Sequence, residues 1–120
     1  MRNIEIKNLQ GKEVCFIDFS GIKDDEEIKN LIETSKKYIR SKPVKSVYCL
    51  TNIHEMHFNS DVKEIFTEFV KGNKNYMKAS AVIGVLGLRQ FMFNSIMKIS
   101  GRDVKAFNEE DEAKNWLAAQ

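Results

Sequence analysis

Residues 79–101 read Ala-Ser-Ala-Val-Ile-Gly-Val-Leu-Gly-Leu-Arg-Gln-Phe-Met-Phe-Asn-Ser-Ile-Met-Lys-Ile-Ser-Gly, and this stretch decides the fold. Ala79 to Gly84 is a short apolar run closed by glycine, the pattern of a strand buried on both faces in a parallel sheet. From Gly87 to Ser100 the apolar positions recur at helical spacing, so a helix follows and packs on that strand. At about 100° per residue, Leu88, Phe91, Met92, Ser95 and Ile99 share one face, which suffices to dock on a sheet. Phe93, Ile96 and Met97 carry the apolar arc beyond it and form a candidate partner or ligand surface. Either they are exposed and bind another molecule, or a neighbouring helix such as the one carrying Trp116 covers them.

Outward from this pair, the chain alternates. Ile4 to Lys7 and Glu13 to Phe19 read as strands joined by a turn near Gly11, an N-terminal β-hairpin. Asp24 is an N-cap with Glu27 three residues on, and Ile28, Leu31, Ile32, Ser35, Tyr38 and Ile39 line one face of a helix that Pro43 stops. Ser46 to Thr51 fits a second core strand, and Asn52 to Phe58 a loop at its carboxyl end. Asn59 or Ser60 caps a helix carrying Val62, Ile65, Phe66, Phe69 and Val70, closed by Gly72-Asn73. Val104 to Phe107 is a last strand, and Asn108 caps a final helix with Ala113, Trp116 and Leu117. Strand and helix alternation of this kind specifies an α/β fold with a mainly parallel sheet, as a single domain over residues 1–120. Ligand-facing atoms in such folds collect at the carboxyl ends of the strands, which puts His54, His57, Gly84 and Gly87 on one rim with Ser20-Gly21 and Asn108.

Composition narrows the classes. Nineteen basic and 17 acidic residues leave a net charge of +2, too balanced for a nucleic-acid footprint. No run approaches the length of a membrane span, and the charged start lacks a signal-peptide pattern, so the expectation is a cytoplasmic protein without stable membrane insertion. Cys15 and Cys49 lie in apolar runs, where a buried inert thiol is favoured over a disulfide or redox pair.

The order of elements, the run Asn73-Lys74-Asn75-Tyr76-Met77-Lys78-Ala79-Ser80-Ala81-Val82-Ile83-Gly84-Val85-Leu86-Gly87-Leu88 and the closing Phe107 to Leu117 resemble the SpoIIAA-like proteins of the STAS class of anti-sigma-factor antagonist domains. The resemblance implies a four-turn β-α superhelix after the hairpin, acting as a regulatory or binding module and not as an enzyme. In the classical antagonists a serine within Asp-Ser-Ser-Gly is phosphorylated to switch partner binding. Here the equivalent stretch is Phe58-Asn59-Ser60-Asp61, so Ser60 is the phosphorylation candidate and stands where the second serine would. Phe58 replaces the Asp and Asp61 the Gly, and Asp61 would repel a phosphate of about −1.5 to −2 charges.

Other candidates have plainer readings beside them. His54-Glu55-Met56-His57 offers imidazole and carboxylate, but the histidines are three apart and lack a third ligand in sequence, so no metal is assigned and no catalytic residue either. Gly84-Val85-Leu86-Gly87 lacks the phosphate-loop pattern and reads as close strand-to-helix packing, so no cofactor is implied. Lys36, Lys37, Arg40, Lys42 and Lys45 read as a solvated helix terminus. Two functions follow as expectations. One is a non-enzymatic module that binds a protein partner or itself, as a homodimer; the other is a carrier of a small apolar ligand or lipid, with a cavity opening near Gly84 and Gly87.

Overall fold

The turn that starts the fold is set by backbone sign. Gln10 and Gly11 have φ of 51° and 88°, the pair of positive values that a two-residue hairpin turn needs, and they join Ile4–Leu9 (β1) to Lys12–Asp18 (β2). In the computed structural model, which describes residues 3–120, this antiparallel pair forms one edge of a five-stranded sheet of order β1-β2-β3-β4-β5. Val47–Asn52 (β3), Met77–Ile83 (β4) and Lys105–Phe107 (β5) add to it in parallel. The last strand begins at Lys105 rather than Val104.

Four helices fill the crossovers: Asp25–Ile39 (α1), Ser60–Gly72 (α2), Leu88–Ser100 (α3) and Glu110–Ala118 (α4). One face of the sheet, through Cys15, Ile17, Cys49 and Val82, packs with side chains of α1, α2 and α3 such as Ile32, Phe66 and Ile96. The other face, through Val14, Leu50, Ala81 and Ile83, is covered by Ala113 and Leu117 of α4. Phe66 stands edge-on between Phe19 and Phe69, with ring centroids 4.9 and 6.1 Å apart, so α2 is anchored by aromatic packing. None of the helices is long and apolar enough to cross a membrane, among the described residues.

Charge stitches the first helices together. Lys36 of α1 and Arg40 at its C-cap reach Glu68 of α2 at 2.9 and 3.9 Å, and Lys42 reaches Glu13 of β2 at 3.1 Å. Three members of the basic cluster are therefore held by carboxylates on other elements, more than a solvated terminus requires.

Two caps differ in kind. Asp24 accepts the Glu27 amide at 3.2 Å, as the sequence predicts. For α2 the cap is Asn59, whose side chain accepts the Val62 amide at 2.9 Å, and Ser60 is the first helical residue. The final helix starts one residue later than expected, with Glu109 and not Asn108 at its N-cap and no side-chain cap bond. Glu110, Asp111 and Glu112 instead place negative charge at the positive end of the dipole.

The largest correction concerns α3. Met92, Ile96 and Ser100 are buried and Phe93 and Met97 pack half-buried against the core, whereas Leu88, Phe91 and Ile99 are 74%, 73% and 58% exposed. Leu88, Phe91 and Ile99 of the face expected to cover the sheet thus point outward, Met92 of that face is buried as expected, and the candidate partner surface of Phe93, Ile96 and Met97 faces inward. The physical reason is that α3 has to cover the sheet and pack against α2 at once, and residues 92, 93, 96, 97 and 100 form the arc that meets both.

Asn59→Ala should cost about 1 kcal/mol of stability through the lost cap, while Ser60→Ala should stay within roughly 0.5 kcal/mol. Chemical denaturation of the two variants checks this, and an equal cost for Ser60→Ala would move the cap to Ser60.

Candidate binding site around helix α3

At the carboxyl ends of the strands the loops meet mostly through backbone. The Gly21 amide donates to the His54 carbonyl at 2.8 Å, and the His57 amide to the Ile22 carbonyl at 2.9 Å, so the loops after β2 and β3 are laced together. Gly84 arrives from β4 with φ of 92°, and a Cβ there would lie 2.4 Å from the His54 amide nitrogen. Only glycine allows that approach. Gly87, by contrast, meets nothing within 4 Å and is the N-cap of α3 without a side-chain cap bond.

The two histidines do not converge. His57 Nε2 lies 3.2 Å from Asp25 Oδ1 of α1 and 3.2 Å from Asn59 Nδ2, which in turn donates to Asp25 Oδ2 at 3.2 Å. This triangle ties the first turn of α1 to the cap of α2. His54 contributes its backbone, donating its amide to Asn52 Oδ1 at 2.9 Å. No group of three or more His, Cys, Asp or Glu side chains suited to a metal occurs among the described residues. Ser60 lies exposed on the same end of the fold, beside Asp61.

Beneath α3 is a cavity of about 70 Å³, bounded by β2, β3 and β4 below and by α2 and α3 above. Phe93, Ile96 and Met97 line it, with Phe66 and Phe69 from α2. Neither Gly84 nor Gly87 is part of its wall, so an opening near those glycines is corrected: its polar end is at Asn73, Ser80 and Arg102. Sequence reasoning missed these three, because an isolated arginine after a helix and a serine inside a strand carry no motif.

The sheet beneath the cavity carries a row fixed by register, of which Cys49 and Ser80 line the cavity. Cys15 pairs with Cys49 and Cys49 with Ser80 across three parallel strands. Hydrogen bonding with Cys49, together with burial, pushes the Cys15 thiol far up. Cys49 is shifted down, first by that same hydrogen bond, then by Thr51 and the Arg102 charge, against its own burial. Both thiols are free and buried, so a disulfide is not formed here. Arg102 Nη2 donates to Ser80 Oγ and Nη1 to the Val70 carbonyl, each at 2.8 Å.

A hairpin, a parallel sheet, and helices divided three to one across its faces are thus joined to a strand-end rim at α2. A family model described as SpoIIAA-like matches residues 14–118, from the second hairpin strand to the last helix. The chain belongs to the SpoIIAA-like family. Its fold is that of the STAS class, and membership places it broadly among STAS-like regulatory and binding modules. No curated protein and no solved structure matches the chain. In this SpoIIAA-like chain the rim is held by close backbone packing at Gly84. Gly84→Ala should therefore lower stability by about 2 kcal/mol or more, through strain at positive φ together with overpacking. Thermal or denaturant unfolding of that variant reads the effect, and an unchanged midpoint would contradict the close approach to His54.

Proposed function

We propose that this SpoIIAA-like module is non-enzymatic, works in the cytoplasm and acts by self-association through the outer face of α3. The observation that supports this reading is the exposure of Leu88, Phe91 and Ile99, continued by Leu86 at 52%. A contiguous exposed apolar ridge is the kind of surface that marks a protein contact. Phe91, Ser95 and Ile99 are four residues apart and form one ridge of the type that packs between helices. A two-fold axis through Ser95 would set Phe91 of each copy against Ile99 of the other, a self-complementary arrangement, and the small Ser95 lets the helices approach. Helix α3 carries Arg89 and Lys98 but no acidic residue.

A second reading, an apolar-ligand carrier, is favoured by one specific feature, the cavity that Phe93, Ile96 and Met97 line. The two readings use opposite faces of the same helix and are compatible.

Sedimentation equilibrium should find the wild-type chain as a dimer and Phe91→Asp as a monomer. Because Phe91 is exposed, the variant should keep its stability within roughly 0.5 kcal/mol. A monomeric wild type, or unfolding by Phe91→Asp, would overturn self-association through this ridge.

A further inference from the structure

Among the described residues, Arg102 is the only charged side chain in the wall of the cavity. Its guanidinium holds one neutral oxygen through Nη1 and another through Nη2, and no carboxylate pairs with it among the described residues. Partial burial pulls its pKa below the usual arginine range, so its charge is partly desolvated and no carboxylate compensates it. Two of its five N–H donors are engaged by those oxygens, which leaves donors for a planar anion.

Outside the cavity, a surface groove shares Met77, Ser80 and Arg102 with it. Lys45, Lys74 and Lys78 line that groove, against one acid, Asp103. Arg102 thus stands in the wall common to both, with aromatic and aliphatic side chains on its inner side and a cationic groove on its outer side. That polarity fits a molecule with an apolar body and an anionic end.

Size limits the class further. An engineered apolar cavity of about 150 Å³ accommodates benzene. At about 70 Å³ this one holds a few carbon atoms before Met77 and Met97 have to move, and unbranched thioether side chains are suited to such adjustment.

We infer that the cavity binds a short aliphatic carboxylate, its tail among Phe69, Phe93, Ile96 and Met97 and its carboxylate on Arg102 at the lysine-lined mouth. The inference rests on the carrier reading and adds the charge, the length and the orientation of the ligand. The site is at the end of the sheet opposite the rim of Gly84 and His54, so a ligand there leaves the rim free.

Calorimetric titration of the full chain with pentanoate and, separately, with 1-pentanol tests it. Pentanoate should bind saturably and more tightly than 1-pentanol by about ten-fold or more, the effect of a charged hydrogen bond. Arg102→Met should remove that difference while leaving 1-pentanol binding in place. Ile96→Phe, which fills the cavity, should abolish both. Equal binding of the two probes to the wild type overturns the carboxylate assignment yet leaves the apolar cavity reading standing, and this comparison needs no variant that might misfold. Absence of binding by both overturns the cavity reading as well. Binding to phosphatidylglycerol vesicles without binding of pentanoate overturns the soluble carboxylate in favour of a lipid surface.

Discussion

Strands β2, β3 and β4 run parallel and in register along Cys15, Cys49 and Ser80, so both of their faces have to be covered by helices. That constraint shapes everything else. The helices divide unequally, three on one face and α4 alone on the other, and small Ala81 and Ala113 let α4 lie close to the sheet. On the crowded face α1 and α2 are fixed by side-chain caps and by Glu68 with its two cations. Helix α3 has neither a side-chain N-cap nor an acid in its first turn. Its position depends mainly on packing, helped by Arg89 Nε, which donates to the Gly84 carbonyl at 3.2 Å.

This dependence explains why α3 concentrates the functional possibilities. The helix has more apolar surface than the sheet and α2 can cover, so one part closes over the cavity and another is left to solvent. The inner part touches the row of Cys49 and Ser80 that leads to Arg102, and the outer part is the ridge of Leu88, Phe91 and Ile99. A ligand under α3 and a partner over it would press on one element from two sides.

The fold was readable in the sequence because its signals are local. Asp24, the apolar stripe of α1, the Gln10-Gly11 turn and the apolar run before Gly84 each specify an element within a few residues. The site was readable only in part. The rim follows from topology, since strand ends meet wherever strands run parallel. The orientation of α3 does not, because an arc apolar over well more than half of its circumference gives periodicity too little contrast to say which part faces in. Arg102 was hidden for a different reason. Its meaning arises from Ser80 and Val70, 22 and 32 residues away in the chain, and no spacing rule joins them.

The rotation of α3 about its own axis is the claim on which both the cavity and the ridge depend. Nuclear Overhauser contacts within one isotope-labelled chain measure it directly. Phe93, Ile96 and Met97 should show contacts to Phe69 of α2 and Val82 of β4, and Leu88 and Phe91 should show none to the sheet. Contacts from Leu88 and Phe91 to Val82, with Phe93 and Met97 silent, would turn the helix over and contradict the account.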